Sequence, residues 1–124
     1  MAAKEGSIRS TLAGRTQELG LQAITSSWNG VHLSAGPVEA LVELIRYSSD
    51  FESGETCSIA DFSFGKSLQE NFPKETIDKI LANATVSYKG KQTSVFDLTE
   101  EKNAHEALEL LKDVFEKLTS PPRQ

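Results

Sequence analysis

The apolar and polar positions of residues 97–118 repeat with the period of an α-helix. Eight apolar residues recur at steps of three and four and fall within an arc of about 160°. They are Ala104, Ala107, Leu108, Leu110, Leu111, Val114, Phe115 and Leu118. Charged residues occupy the opposite arc. The pattern predicts one long C-terminal amphipathic helix over residues 97–118, which buries its apolar stripe in a core or against a partner.

Shorter helical patterns precede this one. Apolar residues at helical spacing predict a first helix over residues 7–20. Pro37 suits the first position of a helix, and an apolar stripe follows it over residues 38–45. Pro73 begins another predicted helix, and a short helical piece is expected near residues 66–71.

Two glycine-containing pairs predict β-hairpins. Asn29-Gly30 is a type I′ turn signal, and the residues after it alternate between apolar and polar. Residues 21–35 also allow an alternative, in which the first helix continues to Trp28 and Asn29-Gly30 forms its C-cap. Lys89-Gly90 separates residues 85–88 from residues 92–96 and predicts a second hairpin. Residues 57–64 are interpreted as a further strand.

These elements predict an α+β fold. We expect a small antiparallel sheet or two β-hairpins covered by three to four helices, including the long C-terminal amphipathic helix. The length of 124 residues indicates a single domain over residues 1–124, with residues 1–6 and 119–124 flexible. A charged fraction of 25% argues against global disorder.

The charge balance disfavours two classes of partner. A net charge of −5 argues against nucleic-acid binding, which usually requires a basic face, and against docking on anionic lipid. Residues 37–62 carry six acids against Arg46 alone. No membrane association is therefore expected, and a protein partner is favoured.

The cysteine content indicates a reducing compartment. Cys57 is the only cysteine, so an intramolecular disulfide cannot form. The N-terminal residues lack the apolar stretch of a secretion signal, and no apolar run is long enough to span a membrane. We therefore expect a cytoplasmic protein.

The tripeptide Gly65-Lys66-Ser67 matches the end of a phosphate-binding P-loop. Such a loop needs further glycines, so that its backbone N–H groups can surround the phosphates, and a long following helix. Ala60 stands where the first glycine is required, and Pro73 leaves room for only a short helix. The favoured interpretation is that Gly65 is a turn residue and Lys66 is exposed, and phosphate or nucleotide binding is the alternative.

No other group of residues predicts catalysis. His105 lies on the polar arc of the C-terminal helix between acids at i−4 and i+4, which favours a surface ion pair. The cysteine and the histidines lack zinc-site spacing, and the acids of residues 50–55 lack the spacing of a calcium loop. We therefore predict no enzyme activity, no cofactor and no metal.

The aromatic and apolar residues suggest a binding function instead. Aromatic residues beside turns often cover a core, but they also anchor partners when they are exposed together. The candidate partner-binding residues are Trp28, Tyr88, Leu110 and Val114. The size, acidity and mixed fold resemble small secretion chaperones as a class. The sequence thus predicts a small acidic adaptor or assembly protein, chaperone-like, that binds a protein partner or forms a homodimer.

Overall fold

The computed structural model describes residues 3–119, with side chains described for residues 3–115. These residues form six α-helices, one short 3-10 helix and one two-stranded antiparallel sheet, so the predicted α+β class is confirmed. The prediction of three to four helices is wrong, and of the two predicted arrangements of the strands the described residues form the small antiparallel sheet and not two hairpins. Contacts divide the chain into two compact units, Met1–Leu33 and Ser34–Gln124.

The N-terminal unit contains one short helix, α1 (Ile8–Gly14). Ser7 caps it, because its hydroxyl accepts a hydrogen bond from the Ser10 N–H at 3.2 Å. The helix ends six residues before Gly20, the predicted end. None of the residues of α1, all of which the structure describes, is buried.

Both predictions for residues 21–35 are wrong, because the structure places neither a hairpin nor a helix there. The Asn29 side chain accepts a hydrogen bond from the Val31 N–H at 2.9 Å, which is a local turn that competes with strand pairing. Gly30 has φ +73°, and a Cβ on it would lie 2.5 Å from Leu12 Cδ2. Residues 21–33 are therefore an irregular loop in which Gly30 lies close to α1.

The C-terminal unit begins with three helices, of which the first two are joined by the long segment 49–62 and the last two by residues 72–73. They are α2 (Pro37–Ser48), α3 (Ser63–Asn71) and α4 (Lys74–Leu81). Pro37 occupies the first turn of α2, as predicted, and Pro73 is the N-cap residue of α4.

The predicted strand at residues 57–64 is wrong. Ile59–Asp61 is a 3-10 helix instead, closed by a capping box. The Asp61 carboxylate accepts from the Ser58 N–H at 2.7 Å, while the Ser58 side chain accepts from the Asp61 backbone N–H. These two hydrogen bonds satisfy the backbone N–H groups of Ser58 and Asp61 locally. In a strand, the same groups would have needed a neighbouring strand as their partner.

The hairpin at Lys89-Gly90 is confirmed. Strand β1 (Thr85–Tyr88) pairs antiparallel with β2 (Lys91–Ser94), with Val86 opposite Thr93. Lys89 and Gly90 have φ +47° and +76°, as a two-residue type I′ turn requires.

The predicted single helix over residues 97–118 is wrong, because the structure has two helices there. They are α5 (Val95–Thr99) and α6 (Ala104–Thr119). Between them Glu101 has φ +58°, and its N–H donates to the Ala35 carbonyl at 2.9 Å. Asn103 then starts α6 through reciprocal hydrogen bonds with Glu106, at 2.9 and 3.0 Å.

One hydrophobic core lies within the C-terminal unit, where α2 packs against α4 and α5, and α6 packs against α3 and α5. Its buried residues are Val38, Leu41, Leu68, Phe72, Ile77, Ile80, Val86, Val95, Leu98, Leu111, Val114 and Phe115. The rings of Phe72 and Phe115 meet edge to face with centroids 6.4 Å apart. The side chain of Leu118 is not described, and residues 120–124 lie outside the described residues. The predicted burial of Leu118 and the predicted flexibility of residues 119–124 therefore stay predictions.

Among the described residues, the structure holds no helix that is both long and apolar enough to cross a bilayer.

Candidate functional site

Helix α2 buries only part of its apolar surface. Val38 and Leu41 are fully buried, and Ile45 packs against the core. In contrast, Leu44 is 47% exposed and Tyr47 is 74% exposed. These two residues are one turn apart on the same side of the helix. The C-terminal half of α2 therefore carries an apolar surface that faces solvent.

A third exposed apolar residue follows directly after the helix. Phe51 lies three residues beyond Ser48, the end of α2, and is 70% exposed. We call these three exposed residues the apolar patch: Leu44 and Tyr47 on one side of α2, and Phe51 in the turn that follows the helix. Aromatic side chains gain most from burial, so the exposure of Tyr47 and Phe51 marks this part of the surface.

Phe51 belongs to a turn that its own backbone closes. The Asp50 N–H donates to the Glu55 carbonyl at 2.7 Å, which forms an isolated antiparallel bridge. The Asp50 carboxylate accepts from the N–H groups of Glu52 and Ser53 at 3.0 and 3.2 Å. The turn therefore has a defined conformation although its side chains are exposed.

Hydrogen bonds from Ser49 join this turn to α2. The Ser49 hydroxyl donates to the Ile45 carbonyl at 2.5 Å and accepts from the Cys57 N–H at 2.8 Å. The Cys57 thiol lies 3.4 Å from the Ser48 carbonyl, within reach of a weak hydrogen bond. We call residues 49–57 the acidic lobe. Its two ends are held together where α2 ends.

The acidic lobe carries fixed negative charge. The Ser53 hydroxyl, followed by the backbone N–H groups of Ser53 and Glu52, lowers the pKa of Asp50 below its ordinary value. Glu52 and Glu55 are exposed on the same turn. Asp50 therefore stays ionised well below neutral pH, and the lobe carries three exposed carboxylates within four residues of Phe51 in the chain.

The chemical groups that this surface offers are a thiol, two rings, a leucine side chain and carboxylates. Cys57 is half-buried, and its thiol is directed to a backbone carbonyl. The apolar patch offers rings and a leucine side chain, and the acidic lobe offers carboxylates with strong affinity for cations or N–H donors.

The Gly65-Lys66-Ser67 tripeptide lies within α3, so its assignment to a turn is wrong. A Cβ on Gly65 would lie 1.9 Å from the Ile59 carbonyl oxygen, which explains why glycine stands there. Lys66 is exposed as predicted, and the Ser67 hydroxyl donates to the Ser63 carbonyl at 3.2 Å. The glycine thus permits close packing against the 3-10 helix.

The four predicted partner-binding residues have different surroundings. Trp28, in the N-terminal unit, is 80% exposed. Within the C-terminal unit, Val114 is 6% exposed and lies in the core, while Leu110 is half-buried. Tyr88 packs against the core, with Lys89 Nζ 5.3 Å from its ring centroid. Their role in binding stays a prediction.

The sequence analysis missed Tyr47 and Phe51. The sequence did contain a signal for Tyr47. Tyr47 lies three residues after Leu44 and so continues the apolar side of α2 beyond the residues that the core buries. Phe51 carried a second signal as a large apolar residue between acids in a predicted loop. Neither signal shows whether the side chain is exposed or buried, because that depends on how the neighbouring helices pack against α2.

Comparisons with models of known protein families, with curated proteins and with solved structures found no match. The functional argument therefore depends on the geometry of the chain itself.

Proposed function

We propose that the protein is a non-enzymatic adaptor or assembly protein, chaperone-like, that acts through protein–protein contacts. The observation that carries this proposal is the apolar patch on α2 and the acidic lobe. Tyr47 and Phe51 are each at least 70% exposed, although the same unit buries a complete core elsewhere.

Energetics favour a partner for this surface. Full burial of one large apolar side chain contributes about 1.5–3 kcal/mol, so exposed rings mark surface available for association. Aromatic residues are enriched among the side chains that dominate binding energy at interfaces. The single Cys57 fits a cytoplasmic setting for such contacts.

A capture experiment with matched variants tests the proposal. Immobilised wild-type protein and the Tyr47→Ser/Phe51→Ser variant are incubated with native lysate, and bound proteins are quantified by mass spectrometry. Trp28→Ser tests the competing candidate, because Trp28 is a similarly exposed aromatic residue of the N-terminal unit that the sequence also predicts to bind a partner. We expect at least one protein that wild type and Trp28→Ser retain and the double variant loses.

The same experiment can contradict the proposal. An identical set of bound proteins for wild type, both variants and empty resin would refute an adaptor function. Loss with Trp28→Ser alone would keep an adaptor function but assign it to the N-terminal unit.

A further inference from the structure

We propose that the apolar patch and the acidic lobe bind a basic amphipathic segment of a partner protein. Apolar side chains of that segment would contact Leu44, Tyr47 and Phe51, and its lysine or arginine residues would lie opposite the carboxylates of the lobe. The inference rests on the proposed adaptor function and specifies the chemistry of the partner.

The charge around the apolar patch determines which sign of charge the partner segment must carry. Between residues 43 and 55 the chain carries four acids and one base, Arg46, so the local charge is −4 + 1 = −3. Three of these acids are exposed on the acidic lobe, while the Glu43 carboxylate accepts a hydrogen bond from the Ser34 hydroxyl. Opposite charge across an interface accelerates encounter, and like charge is costly.

A second copy of the chain fits this surface poorly. A twofold dimer brings the same patch of both subunits together. With the axis close to the lobe, each copy would place its own carboxylates of Asp50, Glu52 and Glu55 against those of the other. Protonation of Asp50 would not readily relieve this repulsion, since its hydrogen bonds lower its pKa. The face is therefore better suited to a different protein than to self-association.

Phosphate-bearing partners are also disfavoured. Nucleic acids and anionic membranes bind through basic surfaces, and this face presents acids. A protein segment with basic residues supplies both the apolar contact and the countercharge. A helical segment suits the geometry, because its i and i+3 side chains match the spacing of Leu44 and Tyr47.

The defined conformation of the lobe favours binding. The hydrogen bonds of Ser49 and Asp50 fix the backbone that carries Phe51 before any partner arrives. A surface that is already ordered loses less conformational entropy when it binds.

The test uses two synthetic fluorescein-labelled 14-residue peptides of identical apolar pattern. One carries leucine on one helical face and lysine on the other, and the second carries glutamate in place of every lysine. Their binding to the full-length protein is measured by fluorescence anisotropy. We expect the lysine peptide to bind and the glutamate peptide not to bind.

Three double variants separate specific docking from general attraction. We expect Tyr47→Ser/Phe51→Ser and Glu52→Lys/Glu55→Lys each to weaken binding of the lysine peptide at least tenfold. The control Glu70→Lys/Glu75→Lys changes two exposed acids of α3 and α4. It shifts the net charge equally, from −5 to −1, since each substitution adds +2. We expect it to weaken binding less than threefold.

Each other outcome overturns the inference. Equal weakening by both charge variants would mean general electrostatic attraction. Equal binding of the glutamate peptide, with loss in Tyr47→Ser/Phe51→Ser, would leave an adaptor surface with a partner of different chemistry. A dimer in sedimentation that dissociates in Tyr47→Ser/Phe51→Ser would make a second copy the occupant. Failure of both peptides to bind would reject the docking face, while the lysate experiment would still decide the adaptor function.

Discussion

Ser49 and Cys57 are joined by a hydrogen bond of 2.8 Å from the Cys57 backbone N–H to the Ser49 hydroxyl oxygen. This contact closes the acidic lobe at the end of α2. The same hydroxyl donates to the Ile45 carbonyl, so one side chain connects the lobe to the helix. The position of Phe51 therefore depends on Ser49, which itself adds neither a ring nor a charge to the surface.

Removal of the Ser49 hydroxyl should open the lobe without unfolding the core. Ser49→Ala leaves the Cys57 N–H without its acceptor, which costs about 1 kcal/mol locally. We expect the Cys57 amide to exchange with solvent roughly fivefold faster, as measured by native-state hydrogen exchange. Ser87→Ala, on an exposed position of β1, is the control. An unchanged Cys57 exchange rate would show that the hydrogen bond does not hold the lobe.

Gly65→Ala should destabilise the C-terminal unit although alanine favours helices. The new Cβ would lie 1.9 Å from the Ile59 carbonyl oxygen, which already accepts from the Phe62 N–H at 3.3 Å. Crowding of this kind costs about 1–3 kcal/mol or more, against a gain of about 1 kcal/mol from helix propensity. At 1.9 Å from a backbone atom the cost falls at the upper end of this range, so we expect a net loss of about 2 kcal/mol in urea unfolding.

Gly14→Ala is the matched control for this prediction, because a Cβ on Gly14 would meet no described heavy atom within 4 Å. Its stability should be unchanged or slightly higher. If Gly65→Ala behaved like Gly14→Ala, the close approach of α3 to the 3-10 helix would be incorrect.

Leu111→Ala should remove a central part of the core. Leu111 is 0% exposed on α6. Truncation of a fully buried leucine costs about 2–5 kcal/mol, a large share of the stability of a small domain. Denaturant unfolding should show this loss, whereas Leu44→Ala, at a half-exposed position of α2, should cost far less. A loss below about 0.5 kcal/mol for Leu111→Ala would contradict the burial of α6.

Lys66 tests the phosphate-binding alternative. Lys66 lies in α3 without a preceding glycine-rich loop to surround a phosphate. We expect calorimetric titration with ATP or GTP and magnesium to give no binding, and Lys66→Ala to leave stability nearly unchanged. Micromolar affinity that Lys66→Ala abolishes would establish a nucleotide site there.

The two glycine turns show how far local sequence determines structure. Lys89-Gly90 and Asn29-Gly30 both predict a type I′ hairpin, but only the first forms one. Val86 has a core to face, so its strand gains burial, whereas Leu33 is 75% exposed and gains none. Turn chemistry alone therefore could not decide between a hairpin and a loop, because the decision depends on tertiary burial.

The sequence predicts the division between α5 and α6 only in part. Asn103 and Glu106 have the spacing of a capping box, which marks a helix start inside the predicted helix. The positive φ of Glu101 could not be predicted from the sequence. It accompanies a hydrogen bond from the Glu101 N–H to the carbonyl of Ala35, which lies more than sixty residues earlier in the chain. Apolar periodicity found the buried face of α6 but not where the helix begins.

The candidate site was predictable only as separate parts. The acids of residues 50–55 and the stripe on α2 were evident from the sequence. Their combination was not, because the packing of α4 and α5 against α2 decides which residues of the stripe remain exposed. The closure of the lobe by Ser49 likewise depends on a contact across eight residues.

The most direct test of the central claim is an NMR titration of the isotopically labelled full-length protein with the lysine peptide. The docking face on α2 and the acidic lobe predicts that the largest amide shift changes fall within residues 43–57. Residues of α6 and of the N-terminal unit should change little. Largest changes on α6 or around Trp28, with residues 43–57 unaffected, would contradict the account.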